Sequence, residues 1–313
     1  MNAIESAGLG KRFRRTWALR DCTLAIPSGH VVALVGPNGA GKTTLLHMAV
    51  GLTRPSAGTV SVLGGYAAGA QEALDRVAFV AQDAPLYKNL PAADMLHVAR
   101  NLNRRWDQRR AEARLGELGI PLRRKVGRLS GGQQAQLALT LALARCPDLL
   151  ILDEPLAMLD PLARHDFMGA VMAAVAEDGV TVVLSSHVLA ELERVADYLI
   201  VLAKGRVQVA GEVDDLLAGH RLLTGPAADL DDRAGGMQVV HSRRAGSQSH
   251  LLVRLTASAA PVPPGWRSQD VGVEELVLGY LREPGAAVLP GPAAAMAGGA
   301  AHRAAGQGLE VRP

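Results

Sequence analysis

Aromatic residues are scarce and make up only 3% of this chain of 313 residues. A core built with so few rings must be mainly aliphatic and rich in alanine, and binding of single-stranded nucleic acid by stacked aromatic side chains is not expected. With 49% hydrophobic and 20% charged residues, the composition is globular and too apolar for a disordered chain. The length predicts one large domain or two.

Cysteine is also scarce. Cys22 and Cys146 lie far apart in the sequence, and neither belongs to a CxxC motif. This spacing supports neither a disulfide framework nor a zinc site. We therefore expect a reducing, cytosolic setting.

Long hydrophobic runs are missing as well. The first 15 residues lack an apolar stretch before their basic residues and do not resemble a secretory signal. The longest uncharged stretch, residues 284–301, consists mainly of alanine, glycine and proline, which would make a poor membrane span. We expect no membrane span in this chain.

Five short runs are apolar at nearly every position, which predicts strands buried on both faces and an α/β domain with a mostly parallel sheet. The runs are Val31–Val35, Val77–Ala81, Leu149–Leu152, Thr181–Ser185 and Leu199–Ala203. Between the second and third runs, residues 92–106 and 108–118 have helical character. This arrangement predicts a helical subdomain inserted over about residues 84–145 of a domain spanning residues 1–220.

The pattern of apolar and polar residues changes after this domain. Residues 221–283 contain strand patterns at Met237–Arg243 and His250–Thr256 and an amphipathic helix at Val273–Arg282, which predicts a small α+β accessory domain. Residues 284–313 are rich in alanine, glycine and proline without periodicity, and we expect a disordered tail.

A phosphate-binding motif follows the first predicted strand. It matches G-x-x-x-x-G-K-[ST] between a strand and a helix-like segment, and its glycines let backbone amides face a phosphate at a helix N-terminus. Its residues are Gly36, Pro37, Asn38, Gly39, Ala40, Gly41, Lys42, Thr43 and Thr44. In such a loop Lys42 would reach the β- and γ-phosphates and Thr43 would bind Mg²⁺. The alternative is a glycine-rich turn with a chance lysine.

Two carboxylates end a second predicted strand. Asp153 and Glu154 follow Leu149–Leu152 at the sheet edge where ligands bind in α/β domains. Asp153 would bind Mg²⁺, and Glu154 would polarise the attacking water as a general base. The alternative for this pair is a solvated turn.

A third motif, LSGGQ at Leu129–Gln133, lies about 20 residues before that strand. Ser130 can cap a following helix, while Gly131 and Gly132 leave amides open to an anion. In this order with the other two motifs, the sequence over about residues 4–212 resembles the nucleotide-binding subunits of ABC transporters. The resemblance implies a P-loop NTPase fold of ABC type and an ATPase that uses ATP and Mg²⁺.

The resemblance also implies roles for single residues. Phe13 would stack on adenine, although Arg14 stands where the family usually has glycine, and a plain core or surface Phe is the alternative. Gln82 matches a glutamine that senses Mg²⁺ and water, and His187 matches a histidine that contacts the γ-phosphate. Asp160 matches a residue that communicates across the dimer, or caps a helix before Pro161, and both can hold.

The predicted site residues therefore fall into three groups. The catalytic residues are Lys42, Gln82, Glu154 and His187; the metal ligands are Thr43, Gln82 and Asp153; the nucleotide contacts are Phe13, Gly36, Pro37, Asn38, Gly39, Ala40, Gly41, Lys42, Thr43, Thr44, Ser130, Gly131, Gly132, Gln133 and Asp160. Gln134–Gln136 stand where the family often has a basic residue, and Ala157 and Met158 where Ser-Ala is frequent. Since these positions neither cradle phosphate nor activate water, we expect a competent site.

The resemblance implies two kinds of partner. The signature of one subunit would complete the P-loop site of another, so a homodimer or heterodimer of cassettes would hold two ATP molecules. A transmembrane permease would dock beside Gln82 and residues 85–90, which places the chain at the cytoplasmic face of the membrane. The helix Val273–Arg282 looks like the C-terminal segment of daunorubicin-resistance (ABC-2) exporters, which favours export.

Two other classes stay open. A soluble ABC ATPase acting on nucleic acid or the ribosome is disfavoured because the chain has one cassette and lacks inserted coiled coils and zinc sites. A regulatory module that does not hydrolyse ATP is disfavoured by the joint presence of Lys42, Asp153, Glu154 and His187.

The formal charge of +3 is unevenly distributed. Residues 100–128 contain ten basic and three acidic residues, so the predicted helical subdomain is basic and the rest of the chain is slightly acidic. One interpretation is a solvated helix face. The other is contact with anionic lipid headgroups, for which Arg104, Arg105, Arg109 and Arg110 are the candidates.

Overall fold

The computed structural model describes residues 1–83, 85–157, 159–189, 192–226, 238–255, 262 and 264–283. The tail predicted for residues 284–313 lies outside them. The strands are β1 (Asn2–Phe13), β2 (Thr16–Pro27), β3 (Val31–Val35), β4 (Ala57–Val62), β5 (Tyr66–Ala67), β6 (Val77–Val80), β7 (Leu149–Asp153), β8 (Thr181–Ser186), β9 (Tyr198–Ala203), β10 (Arg206–Glu212), β11 (His220–Pro226), β12 (Gln238–Ala245), β13 (Gln248–Arg254) and β14 (Arg267–Gln269). The helices are α1 (Lys42–Ala49), α2 (Gln71–Leu74), α3 (Ala92–Leu102), α4 (Gln108–Glu117), α5 (Gly131–Leu143), α6 (Pro161–Asp178), α7 (Val213–Ala218) and α8 (Val273–Arg282).

The central sheet has six strands in the order β10-β9-β3-β8-β7-β6. All neighbours are parallel except β10, which pairs antiparallel with β9. Every residue of β3, β7, β8 and β9 is buried, as expected for strands covered on both faces. The five predicted strands all lie in this sheet with ends shifted by no more than one residue, which confirms the predicted fold class.

A second sheet, in the order β2-β1-β4-β5, is antiparallel and was not predicted from the sequence. Its β1–β2 pairing contains several register shifts, and Gly8 adopts a positive φ of 55° within β1. These irregularities break the alternation of buried and exposed residues that marks an ordinary strand pair. Buried residues of this sheet, such as Leu24 and Ile26, pack in the same cluster as Leu34 of β3.

Helices α3, α4 and α5 form a layer with a core of its own. Its buried residues are Ala92, Met95, Leu96, Ala111, Leu115, Ile120, Val126, Leu129, Leu137 and Ala144. The sequence-based extension of the first helix to Trp106 was wrong. Helix α3 ends at Leu102, because Asn103 is extended and donates its side-chain Nδ2–H to the carbonyl of Ala99 at 2.7 Å.

Part of the basic segment contacts the rest of the chain, although its arginine side chains stay partly or largely exposed. Three arginines contact aspartates that flank the central sheet: Arg104 with Asp75 at 3.3 Å, Arg105 with Asp148 at 3.1 Å, and Arg110 with Asp178 at 2.5 Å. Most of the basic side chains of residues 100–128 are exposed, which agrees with a largely solvated surface, and these three arginines have acidic partners as well.

The third sheet, in the order β12-β13-β11-β14, is antiparallel throughout. Helix α8 covers one face, with Leu276 and Tyr280 fully buried. These two residues belong to the same apolar cluster as Val201 and Val209 of the central sheet, so α8 joins the C-terminal unit to the main core. Among the described helices, none has both the length and the apolar character needed to cross a membrane.

Candidate nucleotide-binding site

The predicted phosphate-binding loop connects β3 to α1. Gly41 precedes the helix with a φ of 106°, a conformation that favours glycine, and an added Cβ would lie 2.7 Å from the carbonyl oxygen of Ala18. At Gly36 an added Cβ would lie 2.2 Å from the carbonyl oxygen of Leu202. Both glycines are therefore required by the packing of the loop against neighbouring backbone.

Lys42 is the first residue of α1, and its side chain turns back over the loop. Its Nζ donates to the carbonyl oxygen of Gly36 at 2.7 Å and lies 3.1 Å from Oε1 of Glu154. Lys42 is only 5% exposed. The ammonium group thus lies at the centre of the loop, held by one carbonyl and one carboxylate.

Asp153 and Glu154 end β7 beside this loop. Asp153 is buried and its Oδ1 accepts from Ser185 Oγ at 2.7 Å, while the Glu154 N–H donates to the same Oγ at 2.8 Å. Glu154 itself has a positive φ of 48°, which turns its side chain away from the strand direction. Ser185 therefore orients the Asp153 carboxylate and the backbone of Glu154, a role that the sequence analysis missed although a serine in an otherwise apolar buried strand is a usable signal.

His187 lies opposite Glu154, with its Nδ1 2.5 Å from Glu154 Oε2. The turn that presents it is closed by the Val188 N–H, which donates to Ser186 Oγ at 2.9 Å. Burial raises the pKa of Glu154, but hydrogen bonds from His187 and Lys42 outweigh it, so the pKa of this carboxyl lies below its ordinary value. Glu154 is thus held ionised between the Lys42 ammonium group and the His187 imidazole.

These side chains surround one cavity of about 500 Å³. Its lining residues are Phe13, Ala18, Asn38, Gly39, Ala40, Gly41, Lys42, Thr43, Thr44, Gln82, Glu154 and His187. The structure therefore brings together predicted residues from five separate segments. Ala18, on β2, was not predicted, because the sheet that carries it was not.

Phe13, at the end of β1, forms one wall of the cavity and is 52% exposed. Lys11 Nζ lies 5.2 Å from the centroid of its ring. The next residue, Arg14, adopts a positive φ of 54°, which glycine tolerates with less strain. The turn after β1 therefore keeps the backbone geometry of a glycine position although arginine occupies it.

The LSGGQ residues lie outside the lining of this cavity. Ser130 caps α5: its Oγ accepts from the Gln133 N–H at 3.2 Å, and Gln133 Oε1 accepts from the Ser130 N–H at 3.2 Å. An added Cβ at Gly131 would meet nothing within 4 Å. The predicted helix cap is confirmed, and the helix N-terminus faces open space.

Asp160 likewise caps a helix and does not line the cavity. Its Oδ1 accepts from the Ala163 N–H at 2.9 Å, with Pro161 as the first residue of α6. The predicted cap is confirmed. Of the two residues noted as departures in this loop, Met158 lies outside the described residues.

The three predicted metal ligands supply oxygen donors suited to Mg²⁺. Thr43 offers a hydroxyl and Gln82 an amide oxygen, and both line the cavity. Asp153 uses Oδ1 for Ser185, while Oδ2 has no hydrogen bond to the described part of the chain. The donor set therefore fits a hard divalent cation.

Comparison with known proteins identifies the family. A family model described as "ABC transporter" matches residues 19–157. The Fe(3+) ions import ATP-binding protein FbpC of Pseudomonas fluorescens is 37% identical over 218 residues, or 67% of this chain and 62% of that protein, and several other relatives are named for import. The uncharacterized ABC transporter ATP-binding protein YxlF of Bacillus subtilis is 33% identical over 224 residues, or 69% of this chain and 72% of that protein.

Solved structures agree with these relatives. The post-hydrolysis state of the ATP-binding cassette MJ0796 bound to ADP and Pi superposes with a TM-score of 0.60 at 25% identity, over 67% of this chain and 98% of that one. The chain spans less than two thirds of the length of FbpC, and its C-terminal unit lies beyond residues 19–157, which the family model matches. The P-loop, the carboxylate pair and the LSGGQ cap fall within that region, and the chain belongs to the ABC transporter ATP-binding family, a family of ATPases.

Proposed function

We propose that this chain binds and hydrolyses ATP to drive transport through a separate membrane permease. The observation that carries the proposal is the placement of Glu154 between Lys42 and His187 at the mouth of the P-loop cavity. An ionised carboxylate, an ammonium group and an imidazole at one cavity are the groups needed to activate water beside a phosphate chain.

The residues of the cavity have different roles in the proposed binding and hydrolysis of ATP. The amides of Gly39–Thr43 cradle the phosphates, and Phe13 stacks on the base. Lys42 exchanges its contacts with Gly36 and Glu154 for the β- and γ-phosphate oxygens. Since Glu154 is ionised, the carboxylate released in this exchange is ready to accept a proton from water.

Three further groups complete the site. Thr43, Gln82 and Asp153 would hold Mg²⁺, which supplies neutralisation of phosphate charge when bound. His187 is positioned to donate to the γ-phosphate, since its ring is 45% exposed and faces the cavity from the side opposite Lys42. Ser185 fixes the backbone of Glu154 and is a positioning residue.

We propose that a second cassette completes the site. The signature residues Ser130–Gln133 lie outside the P-loop cavity of their own chain, and their exposed helix N-terminus can accept an anion. A head-to-tail pair of chains would place this terminus on the γ-phosphate bound by the partner, with Asp160 near the same interface. Two such sites would hold two ATP molecules, and closure of the pair on ATP would be the motion passed to the permease.

Mixing two inactive chains tests this arrangement. Lys42→Ala removes the P-loop cation, and Gly132→Asp places a carboxylate at the signature. In a head-to-tail pair of one chain of each kind, one site has two damaged halves and the other has two intact halves. Hydrolysis should therefore return on mixing, whereas a site completed within one chain would give no recovery.

We propose that the permease docks in the groove between β6 and the α3–α5 layer. This groove is a cavity of about 210 Å³ with an apolar lining, and Pro85, Leu86 and Ala99 are among its residues. It adjoins Gln82, so a helix bound there would contact the nucleotide site through one loop. This docking would hold the chain at the cytoplasmic face of the membrane and would use residues 84–145 as a coupling subdomain, with residues 221–283 as an accessory domain.

The direction of transport we propose is import. The sequence favours export on the basis of the helix at Val273–Arg282, but FbpC, CysA and ModC, which are 34–37% identical, are named for import, whereas a structural neighbour named as an exporter is 21% identical. Inside-out vesicles containing the chain and its co-purified permease provide the test. ATP added outside should deplete preloaded Fe(3+), sulfate or molybdate from the lumen, while ATP-driven accumulation would favour export.

We propose that anionic lipid contacts the arginines of the basic segment that have no aspartate partner among the described residues. Arg109, on α4, makes no ion pair with a described residue, unlike its neighbour Arg110. Arg109→Gln should weaken sedimentation of the chain with vesicles containing phosphatidylserine, and Arg105→Gln should have a smaller effect. Equal binding by both variants and the native chain would exclude lipid contact through Arg109.

A further inference from the structure

We propose that the C-terminal unit contains a second ligand site, which binds a small organic anion with an apolar body. The site is a cavity of about 400 Å³ between α8 and the face of the sheet that α8 covers. Its lining residues are Leu222, His241, Arg243, Ala245, His250, Leu252, Glu275, Leu278, Gly279 and Arg282. A cavity of this volume is within the range of small-molecule sites in proteins.

The floor of the cavity is apolar and follows from strand register. Leu252 of β13 is paired with Leu222 of β11 and with His241 of β12, so the three side chains share one face of the sheet. Gly279 of α8 lies directly over Leu252, since an added Cβ there would be 2.2 Å from Leu252 Cδ2. Towards the β12–β13 turn the helix and the sheet separate, and this leaves the cavity.

The rim of the cavity is cationic. Arg243 of β12 and Arg282 of α8 line it, and neither makes a hydrogen bond or ion pair with any residue in the described part of the chain. The one carboxylate in the lining is Glu275. The two guanidinium groups, without a partner in the described part of the chain, lie near Glu275 of the lining and Glu283 beside His241, and each offers several N–H donors to a carboxylate or phosphate ligand.

Two histidines add hydrogen-bonding capacity inside the rim. His250 Nδ1 is 3.0 Å from Thr224 Oγ1, so its Nε2 is the ring nitrogen left for a ligand. His241 Nδ1 is buried and makes no hydrogen bond to a described group; the nearest carboxylate oxygen, Glu283 Oε1, is 3.7 Å away. A buried, unpaired nitrogen beside an apolar floor is costly unless a ligand or water pairs with it.

The site is separate from the nucleotide cavity and takes a different chemistry. None of its lining residues lines the P-loop cavity, and leucines replace the glycine-rich amides as its main surface. An apolar floor with guanidinium groups at the opening suits a ligand that has an anionic group attached to a short aliphatic or aromatic chain. A polyanion without an apolar part would leave the floor in contact with water.

Hexanoate is a suitable probe, and hexanamide, which has the same alkyl chain but no charge, is the control. Titration of the full chain with hexanoate should shift the NMR signals of His241 and His250, with a Kd of about 1 mM or below. Hexanamide should bind at least about tenfold more weakly, because it cannot use the charged groups at the rim. Equal binding of the two probes, or the absence of histidine shifts, would overturn the proposal.

Substitutions at the rim sharpen the test. Arg243→Gln and Arg282→Gln should each weaken hexanoate binding by about tenfold, and Glu275→Gln should strengthen it by removing a like charge. Arg244→Gln is the matched control: Arg244 neighbours Arg243 but pairs with Ser249, on the opposite face of the sheet. An equal loss with Arg244→Gln would mean general attraction to a basic surface and would contradict a built site.

ATP binding serves as an independent control in the same samples. Arg243→Gln lies in the C-terminal unit and should leave the affinity for ATP unchanged. A native chain that binds ATP but fails to bind hexanoate would overturn the second site and leave the proposed function intact. Loss of ATP binding in Arg243→Gln would show that the substitution had disturbed the fold, and Arg282→Gln would then carry the test.

Discussion

Lys42 Nζ and Glu154 Oε1 lie 3.1 Å apart, so the cation of the P-loop and the carboxylate proposed as the base form an ion pair. Both side chains are nearly buried, with exposed fractions of 5% and 9%. The pair has to separate before Lys42 can reach a phosphate chain. In the proposed function, the event that binds the nucleotide would therefore release the carboxylate proposed to act on water.

The backbone of the P-loop gives the first prediction. Gly41→Ala should abolish ATP binding, because the added Cβ would lie 2.7 Å from the carbonyl oxygen of Ala18 and the φ of 106° is strained for alanine. Equilibrium binding of a fluorescent ATP analogue measures this. Gly169→Ala is the control, since an added Cβ there meets nothing within 4 Å; loss of binding in both variants would contradict the argument from backbone geometry.

The second prediction concerns the charge on Glu154. Its pKa should lie below the ordinary value in the native chain and should rise in His187→Ala, which removes one of the two groups that lower it. A lowered pKa means that the ion pairs stabilise the fold above about pH 4.3 and that this contribution is lost as the pH falls through the folded-state pKa. Titration of the Glu Cδ signal by NMR measures both values, and an unchanged pKa in the variant would refute the coupling.

The third prediction concerns the junction between α8 and the main core. His220 Nδ1 donates to the carbonyl of Leu216 at 2.6 Å, which leaves Nε2 to accept from the Tyr280 hydroxyl at 2.9 Å. Tyr280→Phe would leave this buried nitrogen unpaired and should cost about 1–3 kcal/mol in the free energy of unfolding. Tyr87→Phe, at a residue that is 66% exposed, should change it by less than about 0.5 kcal/mol in urea unfolding.

The fourth prediction is that the contact between His220 and Tyr280 makes the stability of the fold depend on pH. Burial lowers the pKa of His220, so the unfolded chain takes up a proton on this side chain at a higher pH than the folded chain does. Its contribution to stability is therefore present above about pH 6.5 and is lost as the pH falls below that value. Urea unfolding of the native chain at pH 7.5 and pH 5.5, with the His220 ring signals followed by NMR, measures both effects. A His220 pKa above 6.5 would contradict the neutral pairing.

Much of the fold follows from the sequence where burial is uniform. The parallel strands of the central sheet are apolar at nearly every position because both of their faces are buried, so runs such as Val31–Val35 mark them directly. The P-loop and the Asp153–Glu154 pair follow from position at the ends of those strands. The antiparallel sheet of β1, β2, β4 and β5 has no such signal, since register shifts around Gly8 disrupt its pattern.

The sequence alone does not predict the remaining contacts of the site, because they join segments that are distant along the chain. Ser185 bonds to Asp153 and Glu154 across neighbouring strands, a pairing that only the sheet order establishes. The pairing of Arg105 with Asp148 likewise depends on how the helical layer meets the sheet. Spacing along the chain contains no information on these contacts, which is why neither interpretation of the basic segment included its aspartate partners.

The central claim is that Glu154 is the base of an ATP-hydrolysing site, and Glu154→Gln tests it most directly. Glutamine keeps the shape of the side chain but cannot accept a proton, so ATP binding should persist while turnover falls by at least about 100-fold. Glu177→Gln, at an exposed position on α6, should keep native turnover. Binding and turnover measured on the chain with its permease decide the matter: retained binding with lost turnover is the predicted result, and native turnover in Glu154→Gln would contradict the account.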